Sequence, residues 1–226
     1  MDDHDVDAEQ FDRAFVASAF RLIAENGWAR LSLAEAALDA GLPLDRVRER
    51  FTSRLSVLLR FGLLADQAAL AEPDRGGTVR DRLFGIIMKR IDVLQAHRDG
   101  VLALLRALPA DPMATVMVQC ASFVSMGWLL DAAGVDQTSG VLGILHRKGL
   151  LAVWLWTINA WRRDESADLS ATMAALDQAL SRAEKAAGWL PGGTTRAASS
   201  REVTGIEDAE RAPFEPPAST DGPPAM

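Results

Sequence analysis

Apolar residues recur along most of this chain at intervals of three and four, the period of helices that bury one side. From about Glu9 to Asn26 the stripe is Phe11, Phe15, Ala19, Leu22 and Ile23, and Asn26-Gly27 ends it. Trp28 and Leu31 then enter a core. Ser32 followed three residues later by Glu35 has the form of a capping box, and Leu33, Ala34, Ala37 and Leu38 continue at helical spacing. Gly41 stands where that helix must stop, because glycine takes the left-handed conformation cheaply. Pro43 suits the first turn of the next helix, which offers Leu44, Val47 and Phe51 to the same core. Two short helices joined by a tight turn are the arrangement that seats a second helix in a DNA major groove.

A fourth helix opens after Thr52-Ser53 and runs to about Glu72. Pro73-Asp74-Arg75-Gly76-Gly77 breaks the pattern and marks a domain boundary. Beyond it, Thr78 to His97 carries Val79, Leu83, Ile86, Ile87, Arg90 and Leu94 at helical period. A turn at Arg98-Asp99-Gly100 leads to a short helix from Val101 to Leu108, closed by Pro109 and Pro112. Met113 to Ala133 and Val141 to Trp161 are strongly apolar helices, separated by Gly134 and a loop from Gln137 to Gly140. Ser166 to Trp189 is the last, with Leu169, Met173, Leu176 and Leu180 on one stripe. Six of the ten prolines fall in residues 191–226, so that tail is expected to be disordered. The pattern predicts an all-α protein: a disordered acidic start over residues 1–8, a helix-turn-helix DNA-binding domain over 9–72, a helical ligand-binding and dimerisation domain over 78–190, and the tail.

Composition sharpens this picture at three points. Hydrophobic residues make up 49% of the chain and tyrosine is absent, which argues against wholesale disorder and favours helix over strand. The lone Cys120 cannot close an internal disulfide and lies in an apolar stretch, so a buried thiol in a reduced, cytoplasmic protein is expected. No apolar run reaches the ~20 residues that span a bilayer, so no integral membrane association is expected. The three histidines are scattered, and there is no metal-ligand spacing, phosphate loop, dinucleotide fingerprint or nucleophile elbow. The expectation is a non-enzyme without a cofactor.

A net charge of −7 looks wrong for a DNA-binding protein until it is placed. The first ten residues hold five acids, and the tail holds six acids against three arginines, which leaves +1 for the rest. Within residues 46–60, Arg46, Arg48, Arg50, Arg54 and Arg60 stand against Glu49 alone, a local +4 where phosphates would lie. A solvated helix face with arginine stems packed along it is the plain alternative. Ser32 and Asp45 at the two helix starts, with Arg46, Arg48, Arg50 and Arg54, form the candidate DNA-binding set.

The helix around Gly149–Ile158 is apolar nearly all round: Trp154, Ile158 and Trp161 share one face, while Leu151, Leu155 and Trp156 look elsewhere. Two apolar faces need two partners, a core and either a twin subunit or a ligand cavity. Phe84, Met117, Phe123, Trp128 and Trp154 are candidate lining residues for a small apolar effector. Leu155, Trp161, Met173, Leu176 and Leu180 are the candidate homodimer interface. Ordinary core packing is the alternative for each residue taken singly.

Gly41, Pro43, Arg48, Phe51, Ser53, Arg54 and Leu58 together resemble the recognition-helix region of the TetR family, with Arg48 at the family's usual tyrosine and Pro43 at its usual Ser or Thr cap. The resemblance implies an N-terminal three-helix DNA-binding domain and an all-helical, dimerising, effector-binding domain. It also implies double-stranded operator DNA as partner. A second stretch, Val79 to Lys185, resembles the lipid-binding accessory proteins of ubiquinone biosynthesis, which share that fold without reading DNA. The residues that carry it are Val79-Arg80-Asp81-Arg82, Arg90, Arg147-Lys148, Trp161, Asp164, Ser166, Thr172 and Leu176-Asp177. The first resemblance implies a regulator whose operator affinity follows an effector; the second implies a lipid carrier.

Overall fold

The computed structural model describes residues 3–71, 76–135 and 140–188. Met1–Gly193 is one compact unit, and both predicted domains fall within it. The second unit, Thr194–Met226, lies outside the described residues, as do 73–75 of the predicted boundary, 137–139 of the predicted loop, and Trp189. Among the described residues there are helices and no strand: α1 (Asp3–Asn26), α2 (Leu33–Asp39), α3 (Leu44–Arg50), α4 (Arg54–Leu70), α5 (Val79–Ala96), α6 (Arg98–Ala107), α7 (Pro112–Ala132), α8 (Gly140–Trp161) and α9 (Ser170–Gly188). Single 3₁₀ turns, Trp28–Arg30 and Leu108–Ala110, precede α2 and α7. Helix α1 begins well before Glu9, which corrects the expectation of a disordered start from Asp3 onward; an acidic run suits the positive end of a helix dipole.

Two bodies of packing meet along α1 and α4. Helix α1 packs on α2, α4 and α6, and its Phe15, Ala19 and Ile23 are fully buried. Helix α4 continues from the N-terminal helices to pack on α5 and α7, while α8 lies between α7 and α9. Contact between α1 and α6 depends on Gly100: a Cβ there would lie 2.2 Å from the carbonyl oxygen of Phe20. Sequence alone read this glycine only as a turn residue.

Several side chains read as surface or interface belong to this core. Trp161 is fully buried, donates from Nε1 to Gln95 Oε1 at 2.8 Å, and carries the Arg98 guanidinium 4.8 Å above its ring. Leu176 and Leu180 on α9 are also buried. These three are therefore corrected from interface to core: α9 has one apolar stripe, and its own body uses it. Met173 is half-buried on the same helix. Asp164 is buried, and its carboxylate accepts N–H and O–H from both Ser166 and Thr172. These donors, the Ser166 hydroxyl first, hold its carboxyl well below the usual carboxylate range. They also organise the turn, so α9 starts at Ser170 rather than Ser166. Leu169, just ahead of it, takes a left-handed φ of 55.

The surplus apolar surface lies instead on α7 and α8. Met113, Val116, Val124 and Trp128 are exposed along α7, and Val141, Ile144, Leu145, Leu155 and Trp156 along α8. Cys120 is exposed among the α7 residues, not buried as expected. An all-apolar helix gives periodicity no contrast from which to choose its inner face. By length and composition α7 and α8 could each cross a membrane, a property that core helices of soluble proteins share.

Candidate nucleic-acid interface

Helix α2 starts at Ser32, whose hydroxyl accepts the Glu35 N–H at 3.3 Å. It ends in a Schellman turn: Leu42 N–H donates to Ala37 O at 2.9 Å, Gly41 N–H to Leu38 O at 3.1 Å, and Gly41 has φ 65. Pro43 is the residue before α3, extended rather than helical, and its carbonyl accepts Val47 N–H at 3.1 Å. Val47 and Phe51 are buried, and the Phe51 ring packs on Phe15 with centroids 4.4 Å apart. Leu38 and Leu44 depart from the expected core: they are 81% and 55% exposed, one on each side of the turn.

The arginines divide into two groups. Arg46 and Arg48 are exposed on α3. Among the described residues Arg48 has no ion-pair partner, and Arg46 has a long 3.5 Å contact to exposed Asp7 and lies 4.9 Å over the Phe11 ring. Arg50 and Arg60 instead converge on Asp12 of α1, which is 1% exposed. Arg50 donates from Nε to Oδ1 at 2.6 Å and from Nη2 to Oδ2 at 2.7 Å, a bidentate pair; Arg60 Nη2 reaches Oδ2 at 2.8 Å. Arg54 is also paired within the fold, with 40% of its side chain exposed. It stacks 5.0 Å over Trp28 and donates to Asp111 Oδ2 at 3.1 Å. Of the local +4, the structure leaves Arg46 and Arg48 facing out and uses Arg50, Arg54 and Arg60 to hold α3 and α4 in place. Arg50 and Arg54 are corrected accordingly. Asp45 is exposed in the first turn of α3, where a carboxylate favours the helix start.

Asp12 and Asp111 were missed in the sequence. Asp12 had a visible signal, since it lies on the same helical face as Phe15, Val16 and Ala19. Asp111, just before Pro112, had the form of a helix cap and does cap α7 through Ala114 N–H at 3.0 Å, but nothing pointed to its acceptance of Trp28 Nε1 at 2.9 Å, across 83 residues. These donors, Ala114 first, keep its carboxyl below the usual range. Trp28, Ala29, Arg54, Ala107, Ala110, Asp111 and Pro112 line a cleft of about 340 Å³ at this junction.

The residues expected to line an effector site differ in exposure. Phe84, Met117 and Phe123 are half-buried, and Trp154 is buried against Arg90. Trp128 is 64% exposed and is corrected from pocket to surface. Leu155 is 50% exposed, as an interface residue would be in the isolated chain.

Among solved structures, the chain is similar to the TetR transcriptional regulator from Nitrosomonas europaea ATCC 19718. That match has a TM-score of 0.61 and 21% identity, and covers 80% of this chain and 99% of that one. Reduced NemR from E. coli matches with a TM-score of 0.46 and 16% identity, over 77% of this chain and 95% of that one. No protein-family model matches the chain, and no curated protein does. The fold is TetR-like and all-α.

Proposed function

We propose that this protein is a DNA-binding transcriptional regulator with a TetR-like fold, acting as a homodimer on double-stranded operator DNA and controlled by a small apolar effector. The observation that carries the reading is the α2–turn–α3 unit, in which α3 presents Arg46 and Arg48 outward while Arg50 is locked behind it on Asp12. A recognition helix needs that division: exposed cations for phosphate and base edges, and a rigid mount. Exposed Leu44 at the start of α3 can meet a thymine methyl. Two-fold assembly through the apolar faces of α7 and α8, including Leu155 and Trp128, would set two such helices on two half-sites.

The test is equilibrium binding to an operator fragment over a salt series. Arg48→Ala should weaken binding to every sequence and flatten the log–log salt slope by about 0.9, the value for one lost phosphate contact. Arg46→Ala should also relax discrimination at one base pair, by about 1–3 kcal/mol. Unchanged slopes and unchanged discrimination in both variants would reject α3 as the reading helix.

A further inference from the structure

One ion pair inside the molecule is sealed from water with polar atoms to spare. Arg90 of α5 is 4% exposed and Asp66 of α4 is 9% exposed. Arg90 Nη1 lies 3.1 Å from Asp66 Oδ1, while Asp66 Oδ2 accepts the hydroxyl of Ser125 on α7. The Trp154 ring of α8 lies against the guanidinium, its centroid 4.5 Å away. Four helices thus converge on one charged group. Even so, Arg90 Nε and Nη1 and Asp66 Oδ1 make no hydrogen bond; the 3.1 Å contact lacks the alignment for one. Buried donors in folded proteins are nearly always satisfied, and a buried ion pair stabilises only when its remaining donors are. Arg90 continues the buried stripe of Leu83, Ile87 and Leu94, where an apolar residue would pack without that cost.

We propose that Arg90 is the polar anchor of a ligand site, donating from its unused N–H groups to a carbonyl-type oxygen on an uncharged, apolar molecule that lies along Trp154. Calling that molecule the effector rests on the regulator reading; the binding itself does not. Asp66 already balances the charge of Arg90, so a second buried anion would leave the site with an uncompensated negative charge. A neutral acceptor satisfies the donors without it. Gly62, half-buried, lies one turn before Asp66 on the same face of α4, and a Cβ there would meet no atom within 4 Å. Ile158, on Trp154's side of α8, is partly buried and supplies apolar surface. Asp66 shares α4 with Arg60, which ties that helix to Asp12 of α1, the same carboxylate that holds Arg50 of α3. A ligand that redistributes the Arg90–Asp66 contact therefore acts on a helix joined to α3 through Asp12.

The experiment titrates the full chain with decan-2-one, with 2-methyldec-1-ene (the same shape with C=CH₂ in place of C=O) and with decanoate, followed by tryptophan fluorescence and calorimetry. Decan-2-one should bind at least about tenfold tighter than either of the others, which is about 1.4 kcal/mol. The preference should vanish in the double variant Arg90→Met/Asp66→Asn, which removes both charges together. Gly62→Leu, which leaves the ion pair intact, should weaken decan-2-one at least about fivefold by filling the adjacent space. Equal binding of ketone and alkene by the parent, tighter binding of decanoate, or a ketone preference that survives in the double variant would overturn the proposal. Operator binding is measured separately. Ketone selectivity without operator affinity would reject the regulator and keep the anchor, and operator affinity without ketone selectivity would do the reverse.

Discussion

Replacing Asp12 by Asn should cost the fold about 2–4 kcal/mol and loosen α3 without touching Arg46 or Arg48. The parent carboxylate takes two charged N–H donors from Arg50, at 2.6 and 2.7 Å, and pairs with the Arg60 guanidinium at 2.8 Å. An amide of the same shape offers one good acceptor and sets its own NH₂ against the remaining guanidinium donors. A hydrogen bond to a charged group contributes about 1.5–3 kcal/mol, and removing one partner of a buried pair costs about 3–5 kcal/mol. The arginine side chains keep 29% and 31% of their surface, so water recovers part of the loss and the lower range applies. At about 2–4 °C per kcal/mol for a chain of this size, the thermal midpoint should fall by about 5–15 °C. Urea and thermal unfolding followed by circular dichroism at neutral pH measure it, with Arg48→Ala as a control expected within about 0.5 kcal/mol of the parent. An Asp12→Asn loss no larger than that control would refute the assignment of Asp12 as the anchor of α3.

Gly100→Ala should destabilise by at least about 2 kcal/mol in urea unfolding, because its Cβ would meet backbone rather than a movable side chain. Gly149→Ala should do the opposite and stabilise by about 0.5–1 kcal/mol, since this exposed helical glycine has open space around it. The folded carboxyl of Asp164 lies below its ordinary 3.8, so its contribution to stability is present above that pH and is lost as pH falls through and below it. Asp164→Asn should therefore flatten the acid limb of a pH–stability curve below about pH 4, and an unchanged limb would contradict the knot around Thr172. Trp128→Glu and Leu155→Glu should each give a folded monomer by light scattering at micromolar concentration, where the parent is expected to be a dimer.

Most of the architecture was legible because local signals agreed with one another. The Ser32 cap, the Gly41 turn and the breaks around Pro109 and Pro112 each sit at an observed helix end. What remained hidden was long-range pairing. Cations on α3 and at the start of α4 look alike in sequence, and only the fold shows that Arg50 meets Asp12 and Arg54 meets Asp111. Asp12, Asp66 and Arg90 did leave a trace, as charged residues on otherwise buried helical faces. Interface and core could not be separated on α9, because one apolar stripe serves either purpose, and the body claims Leu176 and Leu180. On α7 and α8 the reverse held: a helix apolar all round announces two partners without saying which residue faces which.

The central claim is tested most directly by a selection from fragmented genomic DNA at about 100 mM salt, using the purified full chain and sequencing the bound fraction. The account predicts one enriched palindromic sequence whose half-sites lie about one helical turn apart, and, for Arg46→Ala, relaxed preference at one base pair of each half-site. Recovery of no palindrome, with a bound fraction that follows fragment abundance alone for parent and variant alike, would contradict it.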